Sequence, residues 1–196
     1  MLTKLPEIIV FAGPNGSGKS TITQYADIIP PYINADDIKR ATHCSDMEAA
    51  QEAERLREKA VSEKTSFTFE TVLSTERNLL LLEKAKKEGF FVRGYFVLTR
   101  SEIINVVRVK ERAINGGHDV PTEKIISRYH KSLALLPRLA EVCDILHVYD
   151  NSEDVPVRIF KKRKDEQKYF PNEHWPQEKI KRLVSEETSG ETNEFS

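Results

Sequence analysis

An α/β fold, with a mostly parallel sheet covered on both faces by helices, is what three features of the sequence predict. Short apolar runs alternate with helix-length amphipathic stretches from Glu7 to Asp150, the pattern that βαβ units produce. A glycine-rich turn joins the first apolar run to the first helical stretch. The composition, 39% hydrophobic and 31% charged over 196 residues, suits one hydrophobic core with a short appendage.

Glu7 to Ala12 (EIIVFA) is the first strand, and a helix should run from Lys19 to about Tyr25, before Pro30 and Pro31 forbid its continuation. A short strand, YINAD, leads to Asp36 and Asp37. Ser45 to Lys64 reads as a helix, with Ser45 and Glu48 forming a capping box and Ala49, Ala53, Leu56 and Ala60 an apolar stripe. Ser66 to Thr71 is rich in Phe and Thr, as strands are. Thr75 to Glu88 is helical, with Leu79, Leu82 and Ala85 facing the core and Gly89 at its end. Phe90 to Leu98 is the next strand, its burial made uneven by Arg93 and Gly94.

Thr99 with Glu102 should open a further helix that ends at Gly116-Gly117. PTEKIISRYHKSLALLPRLAEV predicts a helix kinked at Pro137, DILHVYD a strand, and Pro156 to Lys161 an edge strand. These elements make residues 1–162 one domain. Residues 163–196 form a polar appendage, broken by Pro171 and Pro176. A short helix near Gln177 to Val184 should dock through Trp175, Ile180 and Leu183, and the last dozen residues read as disordered.

Composition and charge also exclude function classes. A formal net charge of -1 offers no global positive field for nucleic acid. No run reaches the roughly eighteen apolar residues of a membrane span, and the opening residues lack a secretory cleavage pattern. A cytoplasmic location and no membrane partner are expected. Cys44 and Cys143 stand far apart and outside any CxxC, so two reduced thiols are expected, without a metal site or disulfide.

Gly13-Pro14-Asn15-Gly16-Ser17-Gly18-Lys19-Ser20 matches GxxxxGK[ST] in full, between a strand and a helix. The glycines allow a tight turn with inward backbone N–H groups, and the helix start adds a favourable potential for anions. Lys19 should reach the β- and γ-phosphates of ATP, and Ser20 should offer its hydroxyl to Mg²⁺. Thr21 is the next hydroxyl, suited to a cap or to the α-phosphate. Nucleoside triphosphate binding follows from this motif; the acceptor does not. Water would make an NTPase and a substrate hydroxyl a kinase.

Asp36 and Asp37 follow the second strand, at the sheet edge where ligands bind. One carboxylate could accept a proton from an attacking hydroxyl while the other caps the following helix. Glu70 ends a strand between Phe69 and Thr71. There it could bind a hydroxylated substrate, with Thr71 beside it, or hold a metal-bound water. Arg108 and Arg112, four apart on one helix, and Arg128 on the next resemble a lid that brings guanidinium groups to a transferring phosphate. His118 lies in the glycine break between them and could contact substrate.

The ordered set GPNGSGKST, INADDIKR, FETVLS, GGHDVPTEKIISRYHKSLALLP and YDNS resembles the zeta-toxin family of P-loop kinases, in its short, stand-alone branch. The resemblance spans about Ile8 to Ser152. It implies a three-layer P-loop kinase-like fold with a helical lid, ATP and magnesium as cofactors, and transfer to a sugar hydroxyl of UDP-N-acetylglucosamine. It also implies Asp36 as the base, Glu70 as a holder of the acceptor, and later arginines as a phosphate clamp. Lys39 stands where the family usually has Arg. An antitoxin would be a partner protein. The alternatives are a kinase for another nucleotide, nucleoside or polar small molecule, and an ATP-controlled protein-binding module.

Overall fold

The computed structural model describes residues 5–117 and 119–185. Five strands, β1 (Glu7–Ala12), β2 (Tyr32–Ile33), β3 (Phe67–Thr71), β4 (Phe91–Leu98) and β5 (Ile145–Asp150), pair in parallel, and β6 (Val157–Arg163) and β7 (Glu166–Tyr169) add antiparallel. The sheet order is β2-β3-β1-β4-β5-β6-β7. The chain leaves β1 toward β2 and β3 on one side and crosses to β4 on the other. The switch point therefore lies at the C-terminal end of β1, where ligands bind in sheets of this kind.

Every residue of β1 is buried, as a central strand of β-branched and aromatic residues requires. Alternate side chains serve different layers. Ile8, Val10 and Ala12 join the main core with α3 (Asp46–Ser62), α4 (Arg77–Lys87), α7 (Leu136–Val142) and α8 (Gln177–Val184). Ile9, Phe11 and Val97 face the other way and pack on Ile22 of α1 (Lys19–Thr23). Arg93 pairs with Glu7 across the β1–β4 edge, with nitrogen and oxygen 2.8 Å apart, which explains how β4 keeps a cation in a sheet strand.

The Ser45–Glu48 capping box forms as predicted at the start of α3. The helix expected across Pro137 divides into α6 (Thr122–Ala134) and α7, with the proline in the first turn of α7, where its missing N–H costs nothing. Three features differ from the sequence reading. An extra helix, α2 (Ala35–Thr42), precedes α3; none of its side chains is fully buried, and only Ala35 and Ile38 pack against the main core, too few to read as an apolar stripe. The helix after β4, α5 (Glu102–Ile114), is capped by Ser101 and not by Thr99; the Thr99 hydroxyl turns to the Ser101 carbonyl and to Asn105. A strand, β7, forms after 163 where none was expected, whereas α8 and the docking of Trp175, Ile180 and Leu183 on the main core are as predicted, with Val184 buried beside them. Residues 186–196, where disorder was expected, lie outside the described residues, as does His118.

Candidate functional site

The phosphate-loop sequence lies where β1 ends. Gly16 and Gly18 have φ of +78° and +86°, in the left-handed region that side chains disfavour. A Cβ on Gly16 would stand 2.6 Å from the Asn105 carbonyl oxygen, and one on Gly18 only 1.9 Å from Asn151 Nδ2. The glycines are thus required both by the turn and by what is packed outside it. Gly18 caps α1, and the Ser17 hydroxyl is buried with no hydrogen-bond partner among the described residues. Ser20 is exposed at the start of α1 and Thr21 is half-buried next to it.

Lys19 is buried, and its Nζ donates to the carbonyls of Gly13 (2.9 Å) and Pro14 (3.3 Å). Its ammonium group lies 3.7 Å from Glu70 Oε1. Burial pulls the lysine pKa below its ordinary value; Glu70 opposes that pull, and the charges of Arg112 and Asp36 also act on it, in opposite directions. β3 pairs with β1 in the register Phe11 to Glu70, which brings the Glu70 carboxylate to the edge of the loop. Its second oxygen accepts from the Tyr32 hydroxyl at 2.9 Å. The tyrosine pKa rises through burial first and the neighbouring Glu70 second. Glu70 therefore joins Lys19 to Tyr32, a residue the sequence reading did not select.

Asp36 and Asp37 occupy the first turn of α2. The N-cap role weighed for one of them belongs to Asn34, whose side chain accepts from Asp36 N at 2.9 Å. Both aspartates are thereby left for other work, Asp36 exposed at the sheet edge and Asp37 paired with Arg40 at 3.2 Å. The Thr71 hydroxyl is engaged locally, accepting from Leu73 N and Asn78 Nδ2 at the turn after β3.

The three arginines part company. Arg128 of α6 reaches the loop, its Nη1 donating to Asn15 Oδ1 at 3.4 Å. Arg112 is exposed in the last turn of α5, close enough for its charge to bear on Lys19. Arg108 turns away: its guanidinium donates to the carbonyls of Asn151 (2.6 Å) and Ser152 (3.1 Å) beyond β5. The common projection expected of Arg108 and Arg112 gives way because those two carbonyls draw Arg108 to the loop after β5.

Two buried asparagines that sequence reasoning missed touch the loop directly. Asn105 Nδ2 donates to the Asn15 carbonyl at 2.6 Å, and Asn151 Nδ2 to the Ser17 carbonyl at 2.8 Å. The signal for Asn105 was a polar amide four residues before Val109 on the buried stripe of α5. Beside α1 a cleft of about 410 Å³ opens between Thr21, Tyr25, Tyr149 and Val155. Its floor is a run of rings, with Tyr95 5.2 Å from His147 and His147 6.3 Å from Tyr149.

No family model matches the chain. A Haemophilus influenzae protein described as uncharacterized is 31% identical over 128 residues, which are 62% of this chain and 91% of that protein. The two chains belong to one family. Beyond that family, likeness is in fold. The chain is similar to a structure of the PezAT chromosomal toxin–antitoxin system of Streptococcus pneumoniae, with a TM-score of 0.58 at 18% identity over 81% of this chain and 72% of that one. It is also similar to the AvrRxo1-ORF1:-ORF2 complex with ATP, with a TM-score of 0.71 at 17% identity over 97% of this chain and 67% of that one. This chain shares with these structures an α/β three-layer, P-loop kinase-like architecture. Among the described residues no group of three or more His, Cys, Asp or Glu side chains is placed to hold a metal, and no helix is long and apolar enough to cross a membrane.

Proposed function

We propose that this chain is an ATP-dependent small-molecule kinase of the zeta-toxin kind. It would pass the γ-phosphoryl group to a hydroxyl of a nucleotide sugar, with UDP-N-acetylglucosamine as first candidate. The observation that carries the reading is the cradle at the end of β1: a buried Lys19 held inside the glycine turn, with Glu70 on one side and Asp36 within its electrostatic reach. The solved structure of similar fold that was obtained with ATP supports the choice of nucleotide.

The residues present fit a triphosphate and its metal. A buried Ser17 hydroxyl without a protein partner lies in the turn, and a buried hydroxyl normally finds one. Ser20 supplies one exposed hydroxyl for Mg²⁺, an ion that commonly takes few protein ligands and fills the rest of its shell with phosphate oxygens and water. Magnesium would supply charge neutralisation between the β- and γ-phosphates. Gly13 to Thr21 would hold the phosphates, and the rings beside Thr21 offer stacking surfaces for the base.

In this reading the acceptor oxygen forms a bond to the γ-phosphorus, and the bond from that phosphorus to the β–γ bridging oxygen breaks to release ADP. Asp36 takes the hydroxyl proton. Lys19, Arg112 and Arg128 face the charge that moves, while Glu70 keeps Lys19 charged and, with Asp37 and Thr71, borders the acceptor side. From its place in the sequence alone, His118 is proposed as a substrate contact. Arg108 acts from behind, through the loop after β5. A cytoplasmic site of action and a protein partner of antitoxin type belong to the same reading, since one similar structure comes from a toxin–antitoxin system.

The test is phosphorylated product read by mass, with ATP, magnesium and a panel of UDP-sugars, nucleosides and aminoglycosides. ADP should appear in step with one phosphorylated acceptor. Asp36→Asn should lower turnover by about a hundredfold or more, the usual worth of a general base, with ATP affinity kept. Transfer unchanged in Asp36→Asn would remove the base, and unlabelled UDP-N-acetylglucosamine would remove that acceptor.

A further inference from the structure

We infer that Asn105 and Asn151 are positioning residues that turn the amides of Gly16 and Gly18 toward bound phosphate, an inference that rests on the kinase reading above. A trans peptide is planar, so its carbonyl and the N–H of the next residue point in opposite directions. Asn105 holds the Asn15 carbonyl, whose peptide partner is Gly16 N–H. Asn151 holds the Ser17 carbonyl, whose peptide partner is Gly18 N–H. Both asparagines approach from outside the turn, one from α5 and one from the loop after β5. The two N–H groups are thereby turned to the opposite side, away from α5 and the loop after β5.

The assignment of each amide end is forced by chemistry. A backbone carbonyl can only accept, so the atom facing it must be the NH₂ end of the side chain. Asn105 and Asn151 have 0% and 5% of their surface exposed, so neither amide has water to turn to. Aspartate at either position could not donate when ionised. The brace is also connected behind the loop. Arg108 of α5 grips the carbonyls of Asn151 and Ser152, and Asn151 N donates to the Leu98 carbonyl at 2.9 Å. One helix thus supports both held peptides, one directly and one through the β5 loop.

The brace answers a physical need. An isolated glycine-rich turn samples many peptide orientations, and ordering it on binding would cost affinity. Two buried amides fix that orientation in advance, which is how preorganised backbone donors gain their strength.

The test uses the full chain and two probes, inorganic tripolyphosphate and MgATP, by calorimetry. Asn105→Asp and Asn151→Asp should each weaken both probes by about tenfold or more above neutral pH, the equivalent of one charge-assisted hydrogen bond. Relative to the unchanged protein, affinity should recover as pH falls, because a protonated buried carboxyl regains a donor. Asn105→Ser and Asn151→Ser are neutral and remove plain charge repulsion from the comparison. In the unchanged protein the Gly16 and Gly18 amide proton resonances should move downfield on adding tripolyphosphate, and in the serine variants that movement should shrink. Equal affinity in all variants, or Gly16 and Gly18 signals that stay put while tripolyphosphate binds, would overturn the brace alone. Failure of the unchanged protein to bind either probe would overturn both the brace and the kinase reading.

Discussion

His147 is a neutral ring kept between Tyr95 and Tyr149, and the surroundings that stack it also oppose its protonation. Burial first, then the charges of Arg158, Lys161 and Arg93, push its pKa down to about 4. Arg158 Nη1 faces its Nδ1 at 3.5 Å, which suits a ring nitrogen that accepts. An unfolded histidine takes up its proton near pH 6.5. Between that value and about 4 the unfolded chain binds more protons than the folded one, so stability falls as pH falls through this window. His147→Phe removes the titration and keeps a ring in the stack. Its melting temperature should drop less than that of the unchanged protein between pH 7.5 and pH 4.5, and equal drops would show that other groups set the acid response. His147 gave no signal in the sequence, since one histidine in DILHVYD looks the same whether it faces solvent or a ring. Lys19 was legible because its spacing from the glycines is fixed by what a phosphate cradle needs. Tyr32, Asn105 and Asn151 were not, because each meets its partner only through sheet order or helix packing: 38 residues separate Tyr32 from Glu70, 90 Asn105 from Asn15, and 134 Asn151 from Ser17.

Helices α2 and α3 show how differently two neighbours can depend on their caps. α3 has a full capping box and also buries Ala49, Ala53, Ala60 and Val61, so tertiary packing holds it when a cap bond is lost. α2 has no fully buried side chain, with only Ala35 and Ile38 packed part-buried against the main core, and is capped by Asn34 at its start. Loss of an Asn cap costs about 1 kcal/mol, a large share of what an eight-residue exposed helix can have. Asn34→Ala should therefore speed amide hydrogen exchange over Ala35–Thr42 selectively, and with it lower acceptor turnover while ATP affinity holds, because Asp36 rides on that first turn. Ser45→Ala should instead take about 1 kcal/mol from global stability without selective exchange in α3. Uniform protection of α2 in Asn34→Ala would show that the cap is not what keeps it. The same contrast explains which elements could be read in advance. α3 and β1 carry apolar periodicity imposed by burial, whereas α2 and the exposed strand β7 (EQKY) are fixed by a cap and by pairing with β6, and neither leaves a hydrophobic pattern.

At the scale of the whole molecule, the C-terminal segment bears on the site through one side chain. Trp175 is buried, and its Nε1 donates to Asp150 Oδ2 at 2.8 Å, while Asp150 Oδ1 accepts from Ser152 N at 3.0 Å. The aspartate that closes β5 thus fixes the turn carrying Asn151 on one side and anchors the tryptophan on the other. Folding of the segment after 163 together with the sheet is the natural consequence, since Ile180 and Val184 enter the same core as Val10 and Phe96. Trp175 is the only tryptophan in the sequence, so its fluorescence reports on this junction alone, while far-ultraviolet circular dichroism reports on all helices and strands. In urea the two signals should trace one transition with the same midpoint, as two-state unfolding requires. Trp175→Phe keeps most of the buried ring but leaves Asp150 Oδ2 without its donor in a buried place, which costs about 1–3 kcal/mol. Its midpoint by circular dichroism should fall accordingly, for the whole molecule and not for a fraction of the signal. An earlier fluorescence transition in the unchanged protein, or a Trp175→Phe variant whose main transition is unmoved, would mean that the segment is a separable attachment and that β5 and its loop hold the phosphate turn without it.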